Sequence, residues 1–97
     1  MKRQIMKKFH HLSWDDRNID HIAKHNVTAD EAEQAVFASR KRIRKGKGAN
    51  IYYLFGRTEA GRYLFIVLLE IGKHYARVIT ARDMSRRENK WYRSQRG

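Results

Sequence analysis

Cysteine is absent from this chain of 97 residues. That excludes disulfides and thiolate metal sites, and it leaves the redox compartment unconstrained. Proline is absent as well, and neither a repeat nor a low-complexity linker divides the sequence. Long apolar runs are missing. The longest, from Tyr63 to Leu69, is far too short to span a bilayer. Cations mark the N-terminus, but His10, His11 and Ser13 interrupt the stretch from Phe9 to Trp14, so the apolar region of a signal peptide is not there. A cytoplasmic protein without a membrane partner is the expectation. Acid is scarce too: 10 Asp plus Glu face 22 Lys plus Arg, for a net charge of +12. With a pI near 10.5, this balance points to nucleic acid or an acidic protein as partner. The bland alternatives are a merely soluble surface or attraction to an anionic membrane surface.

What remains is enough for one folded domain spanning residues 1–97. A hydrophobic content of 41% argues against disorder, and two separate cores would be too small. Residues 1–12 read as a basic arm or an edge strand. Ser13 to Asn26 reads as a helix, with Ser13 and Asp15 as N-cap candidates and Ile19, Ile22 and Ala23 on one apolar stripe. Lys24 and His25 fall in its last turn, and Asn26 suits a left-handed stop. Thr28 to Ala38 is a second helix: Thr28 and Glu31 have capping-box spacing, with Val27 and Ala32 set for a hydrophobic staple. Ala29, Ala32, Val36 and Phe37 are its inward candidates. From Arg40 to Gly48 the chain carries six cations and no acid, which fits a basic edge strand and loop. Strands follow at 50–57, 62–71 and 75–81, joined by turns at 58–61 and 72–73. Of these, 62–71 reads as the central strand. Ser85 and Glu88 open a last helix with a second capping box, apolar at Trp91 and Tyr92 and basic elsewhere, Arg96 included. The expected fold is α+β: two N-terminal helices packed on a three- to four-stranded antiparallel sheet, plus a C-terminal helix.

Few residue sets suggest chemistry. His21 and His25 stand four apart on one helix, a spacing that zinc accepts, but no glutamate lies between them and Lys24 repels a divalent ion. No metal and no cofactor is therefore expected. No serine triad, P-loop or dinucleotide fingerprint is present. A cation set with one titratable base is left: Lys24, His25, Arg57, Arg77 and Arg82. Imidazole suits proton transfer around neutrality. RNA brings its own nucleophile, the 2′-hydroxyl. A metal-free ribonuclease then needs a base for that hydroxyl, cations for the charge that develops on phosphorus, and a proton for the leaving 5′-oxygen. Against this, His25 can simply end a helix and each arginine can simply face water.

The order of these residues resembles a known family. Trp14-Asp15, Asn18, Lys24-His25-Asn26-Val27-Thr28 and Glu31-Ala32 are similar to the opening of BrnT-type toxins, where Lys-His-Gly is usual. Gly56-Arg57-Thr58, Gly61-Arg62 with its apolar strand, Arg77 to Arg82, and finally Glu88 and Tyr92 resemble the remainder. The resemblance implies a RelE-like fold over residues 13–93. It also implies a metal-independent endoribonuclease of a type II toxin–antitoxin system that inhibits translation, with RNA as substrate and a cognate antitoxin encoded alongside. On the family pattern, catalytic roles pass to Lys24, His25, Arg57, Arg77 and Arg82. His25 is then base or acid, Lys24 and Arg57 stabilise the phosphorane, and Arg77 and Arg82 hold flanking phosphates. Arg40, Lys41, Arg42, Arg44, Lys45, Lys47, Arg86 and Arg87 are the nucleic-acid-binding candidates. Asp83, next to Arg82, is a departure placed to neutralise it. A non-catalytic basic nucleic-acid-binding module, or a degenerate toxin acting only through protein interaction, are the alternatives. Either a homo-oligomer or a toxin–antitoxin hetero-oligomer fits.

Overall fold

The longest apolar run becomes the longest strand. The computed structural model describes residues 4–95, in the order β1 (His11–Ser13), α1 (Asp16–Ala23), α2 (Ala29–Val36), β2 (Arg42–Lys45), β3 (Ile51–Arg57), β4 (Tyr63–Gly72), β5 (Tyr75–Asp83) and α3 (Arg86–Ser94). The sheet runs β1-β5-β4-β3-β2. β4 is central, as its composition requires, and β2 is the basic edge. The class is α+β as expected, but the sheet has five strands and is mixed: β1 pairs parallel with β5. A three-residue strand has too little sequence to announce itself, and its partner lies more than half the chain away. Ser13 therefore belongs to a strand and not to the first helix. Residues 1–3 of the expected arm, and Arg96 of the expected last helix, lie outside the described residues.

Local signals set the helix ends. Asp15 caps α1, accepting the Arg17 and Asn18 amides, and Asn18 returns a bond to the Asp15 amide. Thr28 with Glu31 and Ser85 with Glu88 form complete capping boxes on α2 and α3. Asn26 closes the turn after α1 at φ 59°, the left-handed geometry that asparagine tolerates. The inner face of α1 differs from the expected stripe. Ile22 is buried, but Ile19 and Ala23 are exposed, and Asn18 is buried in their place. Its side-chain amide donates to the carbonyls of Ser13 and Val78, which removes the cost of burying it. On α2, Ala32, Ala35 and Val36 are buried, whereas Phe37 is exposed.

The pleat separates two layers. Leu54 packs with Ile22, Val27, Ala32 and Val36 on the side of α1 and α2. Its neighbour Phe55 packs with Phe65 and Tyr92, and α3 covers that opposite face through the Phe55–Trp91 and Tyr63–Tyr92 ring contacts. A register shift between Val67 and Leu68 leaves Ile79 of β5 unpaired in a bulge, and it is exposed. No helix among the described residues is long and apolar enough to cross a membrane.

Gly56 sets how closely α2 approaches β3. A Cβ there would lie 2.4 Å from the Ala35 carbonyl oxygen, whereas one at Gly72 would meet nothing nearer than 3.6 Å. Backbone cannot swing aside as a side chain can. Gly56→Ala is expected to destabilise the fold by about 1–3 kcal/mol, and Gly72→Ala to stay within about 0.5 kcal/mol, the usual range for a surface change. Urea unfolding of the two variants checks this; equal midpoints would contradict the close packing.

Candidate active site and nucleic-acid surface

One end of the sheet gathers the last residue of β3, the first of β4 and the last of β5. Arg62, just before β4, ties this end to the helices. Its Nε donates to the Asp83 carboxylate at 2.7 Å, its Nη1 to the Asn26 carbonyl at 2.5 Å and to Glu31, and its Nη2 to the His25 carbonyl at 3.3 Å. Three pieces of chain, the turn that carries Lys24 and His25, α2 and the end of β5, are held by one guanidinium. Arg57 is close by. It ends β3, lies over the Tyr63 ring at 5.5 Å, and sits against Gly61, where an added Cβ would be 3.1 Å from its Nη2. Arg57 joins no ion pair among the described residues.

The five expected catalytic residues do not stand in equivalent surroundings. Lys24 and His25 are exposed in the α1–α2 turn, with the His25 ring 5.7 Å from that of His21. His21 in turn meets Thr80 through Nε2 at 3.1 Å. No group of three or more His, Asp or Glu among the described residues is arranged to hold a metal. Arg82 lies over the Phe65 ring at 4.3 Å and forks onto both Glu88 oxygens at 2.8 and 3.0 Å. Asp83 does not neutralise it: the Asp83 carboxylate goes to Arg62, and only its backbone carbonyl accepts from Arg82. Arg77 stands apart, five residues back along β5 and so roughly 16 Å away at strand spacing. It forks onto Asp15 at 2.8 and 3.0 Å and fastens the cap of α1 to the sheet.

The basic run is less open than its sequence suggests. Strand alternation turns Arg42 and Arg44 toward the α3 face, opposite Phe55 and Tyr53. Arg44 is boxed by the Phe55, Trp91 and Tyr53 rings at 5.0, 5.3 and 5.9 Å. Arg42 is buried and folds back on the carbonyls of Arg40 and Lys41. Lys41 reaches the Ala38 carbonyl, and Lys45 those of Gly46, Gly48 and Ile51. Arg40, Lys47, Arg86 and Arg87 are exposed. Two cavities flank this edge. The larger, about 610 Å³, lies between residues 4–8 and β2 and contains none of the catalytic candidates. The smaller, about 340 Å³, is lined by Arg40, Arg42, Arg57, Tyr63, Tyr92 and Arg93, among others. Tyr63, Tyr92, Arg93 and Arg62 are not among the sequence's site candidates, although Gly61-Arg62 and Tyr92 carry part of the family resemblance and Arg93 lies on the basic last helix.

Each carboxylate that faces an arginine here is held below its ordinary range. For Asp15 the Arg77 guanidinium is the main cause, with the Asn18 amide second, and its pKa falls to about 2. For Asp83 the cause is Arg62. Glu31 is lowered first by the Thr28 amide and then by Arg62. At Glu88 burial pushes upward, but Arg82 and the Ser85 amide outweigh it.

Fold and site together define a small basic α+β protein with a cation-rich sheet end beside an exposed imidazole turn. Residues 14–88 match the model of the family described as ribonuclease toxin, BrnT, of type II toxin-antitoxin system. The chain belongs to this family. Membership implies an RNA substrate and an antitoxin protein partner. No curated protein matches the chain.

The depressed carboxylates fix a pH dependence. A carboxyl whose folded pKa lies below its unfolded one stabilises the fold above the unfolded value, about 3.9 for Asp and 4.3 for Glu. That contribution is lost as pH falls through the folded value. Stability is therefore expected to be flat with respect to these four groups above about pH 5, and to fall below pH 4, with the Asp15 share persisting down to about 2. Arg77→Gln should return the Asp15 carboxyl toward its ordinary value. An NMR titration of Asp15 checks this, and an unchanged pKa would refute the pairing.

Proposed function

We propose that this chain cleaves RNA without a metal ion and so inhibits translation. The 2′-hydroxyl attacks the adjacent phosphorus and gives its proton to a base. The P–O5′ bond then breaks, and the leaving oxygen takes a proton. The products are a 2′,3′-cyclic phosphate and a 5′-hydroxyl. His25 is the proton carrier, exposed on a turn that Arg62 fixes against the strand ends. Arg57 meets the phosphorane with Lys24. Arg57 is suited to this because its charge is not spent on a carboxylate among the described residues. Arg82 contacts a flanking phosphate at lower field, since Glu88 shares its charge, and Arg77 acts only at longer range through its pair with Asp15. The observation that carries this reading is the Arg62 clamp: it brings the imidazole turn and the cationic strand ends, remote in sequence, to one end of the sheet.

The test is incubation of the purified chain with RNA in EDTA. Cleavage to cyclic-phosphate ends is expected. His25→Ala should slow it by about 10²–10⁴-fold, the usual worth of a positioned proton carrier. Arg57→Ala should slow it by about 10²–10³-fold, as for a lost oxyanion donor. Full cleavage by the double variant would sink the assignment. Salt-steep RNA binding without any product would favour the non-catalytic module instead.

A further inference from the structure

The cavity of about 340 Å³ beside Arg57 has an unusual wall. Four arginines line it, Arg40, Arg42, Arg57 and Arg93, and no Asp or Glu does among the described residues. Elsewhere the half-buried arginines have found partners. Arg62, Arg77 and Arg82 each hold a carboxylate, and Arg44 is boxed by aromatic rings. Arg42 is the exception. It is only 7% exposed, yet its protein partners are two carbonyls of its own chain, both on Nη1. Among the described residues its Nε and Nη2 have no protein partner, and neither is sealed off, since only the Arg44 Nε is both enclosed and unpartnered there. Arg42 lines both this cavity and the larger one across the same edge, and its side chain is on the α3 face with Phe55, the side on which Tyr92 and Arg93 line the smaller cavity. Tyr92 behaves alike: the residue is 8% exposed, and its hydroxyl makes no hydrogen bond among the described residues and borders the same space. Buried charge is costly without a counter-charge. A wall of unspent donors is what an anion with several acceptor oxygens completes.

We propose that this cavity is a phosphate subsite for the RNA chain, next to the scissile position, with Arg57 shared between the two. This rests on the ribonuclease reading. A phosphodiester fits better than a carboxylate because it offers non-bridging oxygens to several forks at once, and guanidinium geometry matches it. The volume is at the small end of ligand-sized cavities. It accommodates one phosphate with its sugar, and the four arginines on its wall are donors suited to phosphate oxygens. The subsite therefore contacts the backbone and does not read sequence. It also gives the buried arginine of the basic run a role that a solvated surface cation would not have.

The test measures binding of a 2′-O-methyl RNA oligonucleotide, which cannot be cleaved, to the full chain in EDTA. Trp91, beside Tyr92, supplies the fluorescence. Arg42→Gln should weaken binding by roughly tenfold or more, the loss expected for a charge-assisted contact. Arg42 is buried, so its variant can fail to fold. Arg93→Gln at an exposed position and Tyr92→Phe, which keeps the ring, make the same point with smaller losses. The losses should be uniform across oligonucleotide sequences, and each lost cation should lower the salt slope by about one. Wild-type affinity in Arg93→Gln and Tyr92→Phe overturns the subsite. So does binding of inorganic phosphate or an acidic peptide that depends on these residues while the oligonucleotide does not. RNA cleavage with unchanged KM in the same variants removes the subsite and leaves the ribonuclease standing. Weakened oligonucleotide binding in the variants, with no RNA cut by the wild type, removes the ribonuclease and keeps the subsite as a backbone contact.

Discussion

The guanidinium of Arg62 adds a polar lock between parts of the chain that the apolar core brings together. Its rigid fork takes two carboxylates, from α2 and β5, and two carbonyls from the α1–α2 turn. Each bond is partly exposed and individually modest. Their sum is directional, because a planar fork satisfies several acceptors only in one arrangement. The α1–α2 turn, with Lys24 and His25 on it, is therefore fixed relative to the strand ends by this fork together with the buried Val27.

Arginine does three jobs in this fold. Arg62, Arg77 and Arg82 are fasteners, each forked onto carboxylate and each linking an element to β4 or β5. Arg44 is a core component, its guanidinium 5.0 and 5.3 Å from the centres of the Phe55 and Trp91 rings. Arg42 and Arg57 have no carboxylate among the described residues and face a common cavity. A formal net charge of +12 therefore overstates the free cationic surface in some places and understates the local field in others.

Much of this was legible in the residues. Capping boxes at Thr28 and Ser85, the left-handed Asn26, the central strand and the basic edge all rest on local rules, and local rules survive folding. The failures share a cause. Ile19 fitted an apolar stripe, but the stripe that is buried runs through Asn18, whose amide is satisfied by carbonyls from β1 and β5. The strand at His11 exists because β5 offers an edge. The site was half readable: the types of residue were evident, but their partners were not. Nothing near Arg77 in sequence predicts Asp15, and nothing near Arg42 predicts that its charge would be enclosed.

The parallel pairing of β1 with β5 has a consequence for the order of assembly. During synthesis β1, α1 and α2 leave the ribosome long before the strand that must receive them. Loops that large close late, so Ile22 and its neighbours stay uncovered until β3, β4 and β5 have been made. The Arg62 clamp likewise waits for Asp83. A nascent chain truncated before that residue lacks the carboxylate that ties Arg62 to β5, so the sheet end is completed only after β5 has been made.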